Sequence, residues 1–211
     1  MSLNQMFLSK QIITLRKFIV ILTLFFLSKV SFTQTFRECY DTMYYHLTHD
    51  SPPNPEVMKT WKSCISGKSM PELSLKTVTG EKIETKDLKG KIIVINLWFT
   101  TCYPCILELP ALNRLVEEYK NKNVVFLGIS TDTKAILDAD FFPKYKLDFK
   151  IIPDGKDIVK KIGNTGFPTF YIIDRAGKVK DAWSGGATDK TAETAVYLKA
   201  KPIIDELLKG E

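Results

Sequence analysis

The chain has 211 residues, 45% of them hydrophobic and 26% charged, which are ordinary values for a globular protein with one compact domain and an appendage. Its formal net charge is +6, but residues 1–33 hold four basic residues and no acidic one. Removing those four from the 30 lysines and arginines leaves 26 basic against 24 acidic residues. A near-neutral body with scattered signs has no electrostatic footprint for nucleic acid, so the charge pattern excludes that class of partner.

Residues 1–33 have the pattern of an export signal. Lys10, Arg16 and Lys17 precede an almost wholly apolar run at 18–27. That length suits the hydrophobic region of a signal peptide and is short for a membrane span. The sequence therefore predicts an exported protein of the cell envelope or periplasm. The segment is then a cleaved signal or an inner-membrane anchor, and this is the only part predicted to meet the membrane; the alternative is a buried core helix.

Residues 34–69 are predicted to form an N-terminal helical appendage. Apolar and aromatic residues at helical spacing between 40 and 47 indicate one helix. A proline-rich break follows at 51–55, and the pattern at 56–65 favours a second short helix.

Two cysteines, Cys39 and Cys64, lie in the predicted appendage. They are the only cysteines outside the motif at 102–105. Because exported proteins seldom keep unpaired cysteines, the sequence predicts a structural disulfide between them.

The pattern becomes regular in residues 70–211, where strands and helices alternate. This order predicts an α/β fold in which helices flank a central mixed sheet with an antiparallel edge. Strands are predicted at 73–77, 82–84, 92–97, 124–129, 149–152, 169–173 and 179–183, and helices at 109–119, 136–145, 158–162 and 192–208.

The motif Cys102-Tyr103-Pro104-Cys105 follows a predicted buried strand and opens a predicted helix. Cys102 then lies at the helix N-terminus, where unpaired N–H groups and the helix dipole stabilise a thiolate. Cys105 lies one turn further along the same face and can reach the first sulfur. The setting predicts a redox-active disulfide between the two.

Other uses of a C-x-x-C motif fit this chain less well. A structural zinc site needs four ligands, and besides the motif the chain offers only His46, His49 and two distant cysteines. A c-type haem attachment motif requires histidine at position 106, which is Ile106. No metal ligand set and no cofactor are predicted.

Two segments together resemble a known family. The first is residues 94–105, Val-Ile-Asn-Leu-Trp-Phe-Thr-Thr-Cys-Tyr-Pro-Cys, followed by Glu108 and Pro110. The second is Gly-Phe-Pro-Thr-Phe at 166–170 with Ile173-Asp174. They resemble the thioredoxin superfamily, and most of all its exported TlpA/ResA branch, over roughly residues 70–210.

The resemblance implies a thioredoxin-like domain with a cis peptide bond before Pro168, beside the cysteine pair. The exposed backbone of Phe167 would then pair with an extended substrate segment. An ordinary turn proline is the alternative for Pro168. Trp98, on the turn before the motif, is expected either in the core or at the border of this substrate pocket.

The chain also departs from the thioredoxin pattern. Thr101 stands where thioredoxins have tryptophan, and Asn96 stands where they bury a carboxylate. Since asparagine cannot take a proton, Glu108 becomes the candidate group that assists Cys105; a solvated helix charge is the alternative. Pro110 lacks the N–H that would continue the helix, which predicts a kink near the site.

The predicted reaction is thiol–disulfide exchange, most of all the reduction of disulfides in exported proteins. The resemblance implies a membrane thiol protein as electron donor and clients such as apocytochromes c. Two alternatives remain open. The first is a thiol peroxidase of the peroxiredoxin type, which would have threonine three residues before its reactive cysteine. In this chain Phe99 has that position before Cys102, and Cys102 has it before Cys105. A metal or haem carrier would use the dithiol as ligands.

Overall fold

The computed structural model describes residues 35–50 and 56–210. The predicted export segment and the predicted break at 51–55 lie outside the described residues. Among the helices of the described ranges, none combines the length and the apolar character that a membrane span requires.

Seven strands follow one another along the described chain: β1 (Ser74–Lys76), β2 (Lys82–Glu84), β3 (Ile92–Trp98), β4 (Val124–Ser130), β5 (Lys150–Ile152), β6 (Thr169–Ile173) and β7 (Val179–Ser184). Five of them form one sheet in the order β5-β4-β3-β6-β7, and β1 and β2 form a separate hairpin. β3 pairs in parallel with β4 and antiparallel with β6, which in turn pairs antiparallel with β7. The predicted mixed sheet with an antiparallel edge is confirmed.

Helices cover both faces of the sheet: α1 (Phe36–His49), α2 (Glu56–Ile65), α3 (Tyr103–Leu107), α4 (Leu109–Tyr119), α5 (Lys134–Ile136), α6 (Lys156–Ile162) and α7 (Ala192–Lys209). β3 is buried along its whole length, as its continuous apolar run predicts. Ile93 and Ile95 face one core, which α1, α2 and α6 cover. Val94 and Trp98 face the other, which α4, α7 and both cysteines of the motif share.

The two N-terminal helices pack on the sheet through aromatic rings. A capping box starts α1, in which Thr35 and Glu38 satisfy each other's backbone N–H groups. The rings of Phe36 and Trp61 lie 6.2 and 6.0 Å from that of Tyr171 on β6. The predicted appendage therefore contributes to the core on this face of the sheet.

The region predicted as a helix at 136–145 has a different form. α5 starts earlier, at Lys134, where the Thr133 side chain caps it. It continues as one wide turn, Leu137–Phe141, in which the N–H of Phe142 donates to the carbonyl of Leu137. Pro143 follows directly and cannot extend the helical hydrogen bonds, which explains why the element is shorter than predicted.

A disulfide joins α1 to α2 through Cys39 and Cys64, whose Cα atoms are 5.7 Å apart. The two cysteines are 25 residues apart in sequence. Replacing both by alanine is expected to lower the free energy of unfolding by about 3.5 kcal/mol, because the unfolded chain gains the entropy of the opened loop. Urea unfolding of the two proteins measures the difference.

The matched control replaces Cys102 and Cys105 by alanine, which opens a loop of sequence separation 3. The same entropy argument gives about 1.6 kcal/mol for that loop. Free thiols at Cys39 and Cys64 in the native protein, or equal losses in the two variants, would contradict the structural assignment.

Candidate active site

The cysteine motif lies where β3 ends and α3 begins. Cys102 caps α3, and its Sγ accepts a hydrogen bond from the N–H of Cys105 at 3.3 Å. The two cysteines form a disulfide with Cα atoms 5.2 Å apart. Cys102 is 5% exposed and Cys105 2%, whereas Tyr103 between them is 62% exposed. The motif therefore has the predicted position, at the positive end of a helix dipole.

The turn that leads into the motif is held from two sides. The backbone N–H of Thr100 donates to the carboxylate of Asp132 at 2.6 Å. On the other side, the ring of Phe99 packs edge-on against that of Phe167, with centroids 5.1 Å apart. The contact joins the cysteine turn to the loop that precedes β6.

That loop contains a cis peptide bond between Phe167 and Pro168. Because Thr169 pairs with Leu97 in the antiparallel ladder, the loop lies at the end of β3 from which the cysteine motif emerges. The Pro168 carbonyl accepts a hydrogen bond from Gly185 at 2.8 Å. Within the described ranges, the N–H and carbonyl of Phe167 make no backbone hydrogen bond. The cis peptide that the resemblance implies is present, and the backbone beside it is free to pair.

Glu108 lies between α3 and α4 and is 3% exposed. A Cβ atom on Gly186 would lie 2.5 Å from Oε1 of Glu108 and 3.1 Å from Cγ of Pro168, so the carboxyl and the cis-proline converge on that glycine. Oε2 of Glu108 is buried and has no hydrogen-bond partner among the described residues. Burial raises the pKa of Glu108 from 4.5 to about 8, and Lys199 opposes the shift. A solvated helix charge does not describe this residue.

A cavity of about 290 Å³ opens beside the Glu108 carboxyl. The ammonium group of Lys199 lies 4.5 Å from the ring centroid of Trp183 in its wall. Partial burial lowers the pKa of Lys199, and the nearby carboxylates of Asp181 and Glu108 oppose that shift. The cavity lining comprises Glu108, Trp183, Gly185, Gly186, Ala187, Ala195, Val196 and Lys199.

The predicted kink takes the form of a break at Glu108. α3 ends at Leu107 and α4 starts at Leu109. Pro110 has no N–H to bond the carbonyl of Ile106, so the helix cannot run on unchanged. The regular pattern resumes when the N–H of Leu112 donates to the carbonyl of Glu108 at 3.0 Å.

Trp98 does not border a substrate surface in this structure. Its side chain is 1% exposed and packs against Phe141, with ring centroids 4.7 Å apart. Strand alternation turns it into the core beneath the motif, because Trp98 shares a face of β3 with Val94. Of the two expectations for Trp98, its burial supports the place in the core. Asn96, on the same face, is also buried.

The two histidines of the chain lie away from the cysteine motif at 102–105. His46 and His49 are exposed residues of α1, which packs on the sheet face opposite the motif. His49 stacks on Tyr45 at 4.3 Å, and His46 lies 3.2 Å from the carboxylate of Asp50. The fold therefore does not bring them to the dithiol.

Sequence reasoning missed three residues around Glu108, namely Trp183, Gly186 and Lys199. The paired glycines at 185–186, directly after β7, were a signal of a close backbone approach. Lys199 carries no such signal, since it reaches the site from a helix 91 positions further along the chain than Glu108.

A dithiol at a helix N-terminus beside a cis-proline loop, on a sheet of this order, defines a thioredoxin-fold thiol–disulfide oxidoreductase. Residues 66–182 match the AhpC/TSA family, and the chain belongs to that family.

Individual relatives agree with this assignment. The chain is 37% identical over 134 residues to thiol-disulfide oxidoreductase ResA of Bacillus thuringiensis subsp. konkukian, a match that covers 63% of this chain and 76% of the relative. It is equally 37% identical over 134 residues to thioredoxin-like protein YneN of Bacillus subtilis, covering 63% and 79%. A crystal structure of a thioredoxin-family thiol:disulfide interchange protein from Chlorobium tepidum superposes with a TM-score of 0.54 at 22% identity, covering 66% and 95%.

The buried carboxyl gives the stability of the oxidised protein a specific pH dependence. The pKa of Glu108 is about 8 in the folded protein against an ordinary value of 4.5, so between these values the unfolded chain binds fewer protons than the folded one. The contribution of Glu108 is complete below about pH 4.5 and is lost as pH rises through about 8, by on the order of 5 kcal/mol. Urea unfolding from about pH 4 to 9 measures it.

Glu108→Gln keeps the shape of the side chain and cannot ionise, so it should remove this loss and leave the variant more stable than the wild type above about pH 8. Wild-type and variant curves that run parallel across the whole range would mean that the carboxyl is not buried as described.

Proposed function

We propose that this oxidoreductase reduces disulfide bonds in exported proteins, with apocytochromes c among its clients. The observation that carries the proposal is a buried Cys102–Cys105 disulfide together with a buried carboxyl, Glu108, whose pKa is raised to about 8. The resemblance of residues 94–105 to the TlpA/ResA branch supports the choice of clients.

The reaction has two exchange steps. The thiolate of Cys102 attacks one sulfur of a substrate disulfide, the substrate S–S bond breaks, and its other sulfur leaves as a thiolate that takes up a proton. Cys105 then loses its proton and attacks the sulfur of Cys102. The mixed disulfide breaks as the Cys102–Cys105 disulfide forms. In this second step the substrate sulfur that was bound to Cys102 leaves as a thiolate and takes up a proton. The substrate gains two electrons from the cysteine pair and two protons, one matching the proton that Cys105 gives up and one from solution.

In its ionised form, which is the minority form at neutral pH because its pKa is about 8, Glu108 accepts the proton of Cys105 in the second step. It follows Cys105 by three residues, and both side chains are buried on the same side of the sheet. A carboxyl with a pKa of about 8 is close to a thiol in proton affinity, so transfer between them is nearly balanced. Asn96, in the position where thioredoxins have their carboxylate, cannot take this role.

The loop around the cis peptide receives the substrate. The unpaired backbone of Phe167 supports this role, since an extended segment needs a free N–H and carbonyl to pair with. Pro168 itself is buried, and its carbonyl is already engaged by Gly185. Phe167 therefore supplies the pairing groups, and Pro168 fixes where they lie.

The environment of the cysteines favours a reductant. A strong oxidant stabilises its reduced thiolate with donors near the first sulfur. Here the donor to Cys102 is the N–H of Cys105, Pro104 has no N–H, and the Tyr103 side chain is 62% exposed. Once ionised, above about pH 8, the Glu108 carboxylate further disfavours negative charge on Cys105. Both features favour the disulfide, so electrons leave the reduced pair readily.

A reductase in an oxidising compartment needs a supply of electrons. The resemblance implies a membrane thiol protein as the donor, and the apolar run at 18–27 supports export to the cell envelope or periplasm. Whether the segment is cleaved or remains as an anchor does not alter the chemistry at the dithiol.

The reduction potential of the Cys102–Cys105 pair tests the direction of the reaction. We expect a value more negative than about −180 mV, the potential of protein disulfide isomerase, because the thiolate has few donors. Equilibration with glutathione buffers measures it, in a Cys39→Ala/Cys64→Ala background so that one disulfide titrates.

Pro104→His is the matched control, because it places an imidazole beside the first sulfur and should make the potential less negative. A wild-type reduction potential of about −120 mV, the value of a strong oxidant, would contradict the assignment as a reductase and indicate an oxidase instead. Peroxide consumption faster than disulfide reduction would instead favour the thiol peroxidase alternative.

A further inference from the structure

The ring of Tyr40, on α1, covers the start of the loop that leads to the cis-proline. Gly163, the first residue after α6, has φ +78°, a conformation that other residues rarely adopt. A Cβ atom there would lie 2.2 Å from a carbon of the Tyr40 ring. The glycine therefore serves two needs, since it allows the turn and leaves room for the ring.

The same stretch of backbone is held at two further points. The Tyr171 hydroxyl donates to the carbonyls of Gly163 at 2.7 Å and Ile162 at 3.1 Å. Arg37, also on α1, donates from its guanidinium to the carbonyl of Lys160 at 2.7 Å. The end of α6 and the first residue of the loop are therefore fixed by groups that belong to, or pack against, the N-terminal helices.

The far end of the loop is fixed separately. The Thr169 hydroxyl donates to the carbonyl of Gly166 at 2.6 Å, and the Pro168 carbonyl is held by Gly185. Phe167 lies between these two anchored ends. Only Asn164 and Thr165 join Gly163 to Gly166, so a displacement of Gly163 that this short link cannot absorb moves Gly166 and with it the N–H of Phe167.

The position of Tyr40 is in turn fixed by its neighbour in sequence. Cys39 is disulfide-bonded to Cys64 on α2, and it is 2% exposed. Phe36, one turn earlier on α1, packs against the ring of Tyr171. The disulfide and these aromatic contacts prevent α1 from sliding relative to the sheet.

We infer that Tyr40 is a positioning residue for the substrate loop at 163–168, and that the Cys39–Cys64 disulfide holds it in place. The inference rests on the proposed function, in which this loop pairs with an extended substrate. Backbone pairing depends on tenths of an ångström, so a preformed loop binds peptide better than a mobile one. A small disulfide has no extended backbone that could pair with the loop, so its reduction needs only the cysteines.

The experiment compares Tyr40→Ala with two matched variants. Tyr40→Phe keeps the ring over Gly163 and removes only the hydroxyl, which has a hydrogen bond with the backbone of Asn164. Met43→Ala removes another side chain of α1 that is 2% exposed and belongs to the same core. Each is assayed for turnover of insulin with dithiothreitol as the electron donor, and for the single reaction of the pre-reduced protein with the aromatic disulfide dithiobis-nitrobenzoate. Each is also assayed for hydrogen exchange in a fragment that spans residues 163–168.

Tyr40→Ala should lower kcat/KM for insulin by about tenfold, mainly through KM, because a misplaced loop weakens peptide binding. Its rate with dithiobis-nitrobenzoate and its reduction potential should match the wild type, and exchange in the 163–168 fragment should rise. Tyr40→Phe, which keeps the ring but loses the hydrogen bond with Asn164, should lie between Tyr40→Ala and the wild type in kcat/KM for insulin and in exchange of the fragment. Met43→Ala should lower stability without separating the two substrates, and Cys39→Ala/Cys64→Ala should resemble Tyr40→Ala.

The outcomes separate the inference from the proposed function. Equal exchange of the fragment in Tyr40→Ala and Met43→Ala, or equal losses on both substrates, would overturn the inference while wild-type reduction of insulin stands. Wild-type protein that reduces dithiobis-nitrobenzoate but not insulin would count against the proposed function, and with it against a loop that receives peptide.

Discussion

A carboxyl group kept out of water behind the cysteine pair is the constraint on which the site depends. Glu108 is 3% exposed, one of its oxygens has no partner among the described residues, and its pKa is raised to about 8. A carboxylate in such a place is costly, so the group holds a proton at neutral pH. Gly186 contributes to this environment, because a Cβ atom at that position would lie 2.5 Å from Oε1 of Glu108. The same Cβ atom would lie 3.1 Å from Cγ of Pro168, so the buried carboxyl and the cis-proline have this glycine as a common neighbour.

The two faces of the sheet carry different parts of the molecule. One face carries the cysteines, Glu108 and the cavity beside it, under α4 and α7. The other carries α1 and α2, whose disulfide and aromatic contacts reach the start of the loop at 163–168. The loop passes from one face to the other, so chemistry on one side can depend on packing on the opposite side.

Much of this could be predicted from sequence because the signals are local. Residue type and spacing predict the buried strand at 92–97 and the bounds of the helix at 56–65. The position of the cysteine motif at the start of a helix is predicted because the motif directly follows that strand. The burial of Glu108 could not be predicted, since it is caused by Gly186, which is distant in sequence. The sequence left Trp98 open between the core and the substrate pocket, because it lies four residues before Cys102; strand alternation turns its ring into the core.

The most direct test of the account is the rate at which Cys105 resolves a mixed disulfide on Cys102. Reduced protein mixed with dithiobis-nitrobenzoate releases one coloured thiolate on attack and a second on resolution, so stopped-flow absorbance separates the steps. With Glu108 as proton acceptor, the rate of the second step in the wild type should rise with pH, with a midpoint at about pH 8. Glu108→Gln should slow the second step by about 10²-fold and leave the first step unchanged. The rate of the second step in this variant should then depend on pH only through the ionisation of the Cys105 thiol. Identical second-step rates and pH profiles in the two proteins would contradict the account.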